Sequence, residues 1–105
     1  MISEHLGRVL VVVPTYNEIE NLPIIVQGIR NTIPDIDILI ADDNSPDGTG
    51  KLADEFAAAD SHIKVLHRNL KAGLGAAYLE AFAWAKQQNY NVVVEMDADG
   101  SHRPI

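Results

Sequence analysis

The sequence contains no cysteine. That excludes a disulfide framework, a thiolate metal site and a cysteine nucleophile, and it fits a reducing compartment. Positive charge is scarce: 8 Lys and Arg stand against 15 Asp and Glu, for a formal net charge of −7. Such a balance argues against sequence-independent binding of nucleic acid through a basic surface. It says less about nucleotides, which a metal ion and backbone amides can hold. No apolar run approaches the ~20 residues of a membrane span. The segment Met1 to Arg8 has no basic region followed by a long apolar one, so no signal peptide is read there. Repeats, linkers and low-complexity tracts are absent, as is a Gly-x-Ser-x-Gly elbow. The four histidines, His5, His62, His67 and His102, are scattered without metal-ligand spacing, as expected of surface or packed histidines.

The remainder is the composition of one small globular domain: 105 residues, 47% hydrophobic and 22% charged. Val9 to Val13 is a β-branched run closed by Pro14 and reads as a first strand. Asn21 is placed to cap a helix with Pro23 in its first turn, and Leu22, Ile25, Val26, Ile29 and Ile33 recur at helical spacing. Ile36 to Ala41 reads as a second strand ending at Asp42-Asp43, and the turn-rich Asn44 to Thr49 follows. Leu52, Ala53, Phe56 and Ala57 mark a second helix, and Ile63 to His67 a third strand. Asn69 to Gly75 reads as a glycine-containing loop. A third helix is expected from about Ala76 to Gln88. Its alanines would let it lie close to a sheet, with Leu79, Phe82 and Trp84 as bulk.

The fourth strand carries the most chemistry. Val92-Val93-Val94-Glu95-Met96-Asp97-Ala98-Asp99-Gly100 begins as an apolar run, expected to be buried on both faces, and ends in two aspartates one residue apart. In extended backbone, residues i and i+2 point to one side, so Asp97 and Asp99 can aim at one point. Paired hard oxygen ligands suit Mg²⁺ or Mn²⁺ held together with phosphates. An Asp/Gly turn leaving the core would use the same residues.

The order βαβαβαβ implies an α/β fold with a mainly parallel sheet and right-handed crossovers. The loops after the strands then gather on the carboxyl edge, where open α/β sheets bind ligands. They carry Tyr16 and Glu18, Asp42 and Asp43, Lys71 with Gly73 and Gly75, and Asp97 and Asp99. Gly73-Leu74-Gly75 is a weak dinucleotide fingerprint because it follows the third strand and lacks the third small residue. It reads equally as a helix start facing an anion or as a tight turn. Lys71 could neutralise phosphate or be solvated. Asp42 and Asp43 could bond a ribose or base, or cap the turn, and the two roles can be divided between them. If the reaction is a displacement at a nucleotide sugar, the attacking group need not be supplied by this chain. A phosphate acceptor, with a second pKa of about 6, is already largely anionic.

Four motifs in order now carry a resemblance: Val13-Pro14-Thr15-Tyr16-Asn17-Glu18, Asp42-Asp43-Asn44-Ser45-Pro46-Asp47-Gly48-Thr49, Lys71-Ala72-Gly73-Leu74-Gly75 and Met96-Asp97-Ala98-Asp99. From Val9 onward the chain resembles a family 2 glycosyltransferase of the Rossmann-like, three-layer GT-A fold. It is most similar to the polyprenol (dolichol) monophosphate mannose synthases, and Glu95 to His102 resembles their actinobacterial branch. The resemblance implies inverting transfer of mannose from GDP-mannose to a polyprenyl phosphate, with Mg²⁺ or Mn²⁺, at the cytoplasmic face of the cell membrane. It implies nucleotide-sugar contacts from Pro14, Tyr16, Glu18, Ala41, Asp43, Asp97, Ala98 and Asp99. Asp97 and Asp99 would be catalytic, Lys71 a possible phosphate contact, and Asp97, Asp99 and Ser101 the metal set. Ser101 stands where many relatives carry glutamine.

Residues 1–105 are accordingly expected to be the amino-terminal, nucleotide-sugar-binding part of a longer transferase, inactive alone. Membrane contact, direct or through a membrane-spanning partner, would come from parts outside this chain, and no nucleic-acid partner is expected. Two other readings are a related transferase using another sugar nucleotide, such as UDP-glucose, and a non-catalytic nucleotide-binding module.

Overall fold

The structure, a computed structural model, describes residues 8–68 and 74–96. Four strands and three helices alternate: β1 (Val9–Thr15), α1 (Leu22–Thr32), β2 (Asp37–Asp42), α2 (Thr49–Ala59), β3 (Ile63–His67), α3 (Leu74–Gln87) and β4 (Val92–Glu95). The strands form one sheet in the order β3-β2-β1-β4, and every pairing is parallel. Strand alternation sends successive side chains to opposite faces. Val11, Val13, Ile38 and Ile40 therefore meet Leu22, Ile25, Val26, Ile29 and Ala53 of α1 and α2 in one core. Leu10, Val12 and Leu39 meet Ala81 and Ala85 of α3 in a second core. The result is the expected α/β layering of helix, sheet and helix.

The chain winds outward from β1 through β2 to β3, then crosses back under α3 to place β4 on the other side of β1. The winding direction thus reverses between β1 and β4. In open α/β sheets the ligand crevice lies outside the carboxyl ends of the strands at such a reversal.

Several local expectations change. β1 runs on through Pro14 and Thr15. Proline interrupts no recorded bond there: Thr15 O accepts from the Asp43 N–H, and Val12 O accepts from the Met96 N–H. Backbone groups alternate sides along a strand, so the missing N–H of Pro14 faces the β4 side, beyond the last described pair, Val12 with Glu95. Asn21 sits at the start of α1 but its side chain does not cap it. Instead Glu18 O accepts from the N–H groups of Asn21 and Leu22, so a preceding turn satisfies the helix. Ile33 falls outside the buried stripe, with 37% exposure at the end of α1.

α3 begins at Leu74, which brings Leu74 and Gly75 into the helix. Its buried ridge is Ala77, Ala81 and Ala85, while Leu79 and Phe82, expected to provide bulk, are 71% and 44% exposed. Close packing of the helix backbone on the sheet leaves room only for the small side chains. Tyr78, Trp84 and Tyr90 fill the margins of that core. Among the described residues β4 pairs only with β1, and the expected burial on both faces is not met there: Val94 is 43% exposed.

At the amino edge, opposite the carboxyl edge, Asp37 ties the strand starts together. His62 Nδ1 lies 2.8 Å from its Oδ1, Tyr90 OH donates to its Oδ2 at 2.7 Å, and Arg8 lies over the Tyr90 ring. Burial pushes Asp37 up, but hydrogen bonds from Tyr90 and His62 and the charges of His62 and Arg8 outweigh it and hold its carboxyl below the ordinary range. Burial, then the hydrogen bond to Asp37 and its charge, push Tyr90 up to about 12. The signs follow from linkage. Asp37, with a depressed folded pKa, stabilises above its unfolded value, and that contribution is lost as pH falls through the folded value. Tyr90, with a raised pKa, stabilises fully below about pH 10, and that contribution is lost as pH rises through about 12. Tyr90→Phe is therefore expected to be less stable at neutral pH and to flatten the alkaline limb, read as urea midpoints against pH. An unchanged alkaline slope would contradict this role.

Candidate nucleotide-sugar site

The carboxyl edge is built by splitting the two neighbouring aspartates between the two faces of the sheet. Asp42 lies on the α1/α2 face, 1% exposed. Its Oδ1 accepts from Thr15 Oγ1 at 2.7 Å and from Ser45 Oγ at 2.6 Å, and its Oδ2 accepts from the Ser45 N–H at 3.0 Å. The first turn of α2 presses on it: a Cβ added at Gly50 would lie 2.9 Å from Asp42 Oδ2. A carboxylate beside a helix amino terminus is favourably placed. Asp42 is thus a structural hub.

Asp43 takes the opposite face. Pro14 and Ala41 are register partners, and alternation puts both, with Asp43, on the α3 side. Asp43, 8% exposed, is held by Arg68, 3% exposed, through Oδ1 and Nη1. Arg68 is itself fixed by its N–H donating to Asp42 O at 2.8 Å, and its Nε lies 3.3 Å from Glu80 Oε1 on α3 without hydrogen-bond alignment. Three candidate residues, Pro14, Ala41 and Asp43, therefore share one face, and Arg68 joins them. Arg68 did not stand out in the sequence. The signal was its place directly after β3, one step beyond the Asp42–His67 register pair, which sets it across from Asp43.

Tyr16 and Glu18 lie in the loop after β1, both half-buried. Asn17 adopts φ 56° there and Asn44 φ 55° in the loop after β2, left-handed positions that asparagine tolerates. The two loops are sewn together. The N–H groups of Asn17, Glu18 and Ile19 donate to Ser45 Oγ at 2.9 Å, Thr49 Oγ1 at 2.9 Å and Asp47 Oδ2 at 3.2 Å. Successive amides in such a turn form a concavity that elsewhere binds anions. Here the chain's own oxygens fill it. Asp47 also accepts from the Thr49 N–H at 2.9 Å, opening α2 after Gly48, whose φ of 95° favours glycine. Desolvation pushes Asp47 up, but hydrogen bonds from the Thr49 hydroxyl and the amides of Thr49 and Ile19 outweigh it and hold its carboxyl below the ordinary range.

Lys71, Gly73, Asp97, Ala98, Asp99 and Ser101 lie outside the described residues. Among the described residues no group of three His, Cys, Asp or Glu could hold a metal ion. His62 stands at the amino edge with Asp37, and His67 pairs with Asp54 at 2.8 Å on the surface. No helix among the described residues is long and apolar enough to cross a membrane.

Known proteins are similar to this chain in sequence and fold. The chain is 59% identical over 98 residues to the polyprenol monophosphomannose synthase of Mycolicibacterium smegmatis, covering 92% of this chain and 37% of that protein. It is 55% identical over 97 residues to the undecaprenyl-phosphate mannosyltransferase of Micrococcus luteus, covering 92% of this chain and 40% of that protein. The chain thus spans about two-fifths of the length of these relatives. Among solved structures, the mannosyltransferase PcManGT of Pyrobaculum calidifontis, in complex with GDP-Man and Mn²⁺, superposes with a TM-score of 0.69 at 27% identity, over 88% of this chain and 27% of that one. The model of glycosyl transferase family 2 matches residues 10–105, and with the parallel sheet and its sewn carboxyl edge this establishes that the chain belongs to that family.

Proposed function

We infer that this chain is the donor-binding part of an enzyme that moves mannose from GDP-mannose to a polyprenyl phosphate. The observation that carries the reading is the placement of Pro14, Ala41 and Asp43 on one face at the carboxyl edge, with Tyr16 and Glu18 in the adjoining loop, at the winding reversal between β1 and β4. The names of the M. smegmatis and M. luteus relatives support the sugar and the lipid acceptor, and the GDP-Man in the P. calidifontis structure supports the donor.

In the reaction a phosphate oxygen of the acceptor attacks C1 of mannose. The C1–O bond to the diphosphate breaks, GDP leaves with that electron pair, and the anomeric configuration inverts. Pro14 and Ala41 would wall the base and ribose. Asp43, its other side fixed by Arg68, would accept their hydrogen bonds. Tyr16 and Glu18 would close the nucleotide from the loop after β1. Asp97, Ala98 and Asp99 would meet the diphosphate, with Lys71 as a further phosphate contact.

Asp97, Asp99 and Ser101 would supply an all-oxygen donor set, the chemistry that suits Mg²⁺ or Mn²⁺. A divalent ion held there supplies Lewis-acid neutralisation of the departing diphosphate. The site would work at the cytoplasmic membrane face, with the protein attached peripherally through parts outside this chain. A competition panel of GDP, UDP, GDP-mannose and UDP-glucose against the full-length protein tests the reading. GDP compounds are expected to displace one another and UDP compounds to fail; preference for UDP-glucose would move the protein to another branch of the family.

A further inference from the structure

We propose that Ser45, Asp47 and Thr49 are positioning residues that hold Tyr16 and Glu18, through the backbone between them, in the geometry that receives the donor nucleotide. The inference rests on the reading of Tyr16 and Glu18 as nucleotide-binding residues. It assigns the turn-rich segment after β2 a task beyond starting α2.

The observation is a clasp of three consecutive amides. Asn17, Glu18 and Ile19 each donate their N–H to a side-chain oxygen of the other loop, on Ser45, Thr49 and Asp47 respectively. Two of these oxygens are hydroxyls that pass the interaction on. Ser45 Oγ donates to Asp42 Oδ1, and Thr49 Oγ1 donates to Asp47 Oδ1. A hydroxyl that donates to a carboxylate is a better acceptor, so the Asn17 and Glu18 amides are gripped by polarised chains, and the Ile19 amide by the Asp47 carboxylate itself. Two of the groups behind the clasp are buried. Asp42 and Thr49 are 1% and 0% exposed, and Thr15 braces Asp42 from β1. The loop after β1 is exposed at Asn17 and Ile19, makes a left-handed turn at Asn17, and has no partner strand among the described residues, so strand pairing there does not set its shape. These side chains set it. A nucleotide-binding loop fixed before the ligand arrives loses less entropy on binding.

The test is calorimetric titration of GDP into the full-length protein, with melting temperature measured alongside. The proteins compared are wild type and the Ser45→Ala, Thr49→Val, Thr49→Ser and Glu18→Gln variants. Thr49→Val keeps the shape and removes the hydroxyl, so the Glu18 amide loses its partner; Ser45→Ala does the same to Asn17. Each is expected to raise the Kd for GDP about tenfold, and Thr49→Ser, which restores the hydroxyl, to stay within about twofold of wild type. Lowered melting temperature with unchanged Kd in Ser45→Ala and Thr49→Val would make these residues merely structural and overturn the proposal. Should Thr49→Val fail to fold, Ser45→Ala, at a half-buried position, decides. If Glu18→Gln weakens GDP binding but the hydroxyl variants do not, the clasp alone falls. If wild type does not bind GDP, or Glu18→Gln binds as wild type does, the nucleotide-site reading falls and the positioning role with it.

Discussion

Asp99→Asn in the full-length protein is expected to lower kcat by ~10²–10³, the usual cost of removing a preorganised charge stabiliser. By the proposed reading, Asp99 acts where negative charge grows as the glycosidic bond breaks. Its contribution is therefore larger in the transition state than in the ground state and belongs in kcat. Asp43 would touch a part of the donor that does not change during reaction, so Asp43→Asn should act mainly through KM. The structure adds a complication for that second variant. Asp43→Asn would leave the buried Arg68 guanidinium with only the half-exposed Glu80 carboxylate beside it, so kinetics must be run well below the variant's unfolding temperature. Steady-state rates at saturating Mg²⁺ or Mn²⁺ decide between the roles. Equal kcat for Asp99→Asn and wild type would return Asp99 to the status of a turn residue and remove the metal assignment.

Arg68→Met is the second large effect, and it falls on stability. Arg68 and Asp43 are 3% and 8% exposed, and removing the cation strands a carboxylate where water scarcely reaches it. Breaking such a pair from one side costs ~3–5 kcal/mol. Against the ~5–15 kcal/mol that holds a typical domain together, that is a large share. Replacing both partners, as in Arg68→Met with Asp43→Leu, is expected to recover most of the loss, because a desolvated pair exchanged for apolar packing is often close to neutral. The recovered protein should still fail to bind GDP, since the hydrogen-bonding group that faces the ligand has gone. Urea unfolding of the single and double variants measures this. A loss below about 1 kcal/mol for Arg68→Met, typical of an exposed pair, would show that the pair is solvated in solution.

The element order was legible because periodicity is local. Ile63 to His67 needed no correction, and the stripe Leu22, Ile25, Val26 and Ile29 is buried as its spacing requires. The meeting of the loops after β1 and β2 on one edge followed from the βαβ order alone. What was not legible depends on neighbours distant in sequence. Val92 to Val94 reads like a strand buried on both faces, because an apolar run does not encode how much of each face its neighbours cover; among the described residues Val94 stays exposed. In α3 the large residues suggested the buried side, yet the fully buried ridge is Ala77, Ala81 and Ala85. Within the candidate site, the shared face of Pro14, Ala41 and Asp43 needed the register of β1 on β2. The importance of Arg68 needed the register of β2 on β3 as well. Asp47 and Thr49 read as turn formers, which they are. Their grip on the Glu18 and Ile19 amides appears only when two loops far apart in sequence are seen side by side.

Pro14 has one further consequence. A sheet zips wherever facing strands can exchange hydrogen bonds, and a reversal of winding is by itself no barrier to zipping. At Pro14 the side of β1 turned toward β4 offers a carbonyl but no N–H. The seam between these two strands therefore lacks one of its stitches one step past the Val12–Glu95 pair, on the edge where the donor would enter. A cleft that must stay open is usually kept so by bulky side chains or by charge repulsion. Here a single pyrrolidine ring, placed by β1 itself, withholds the bond that would help draw the lips together.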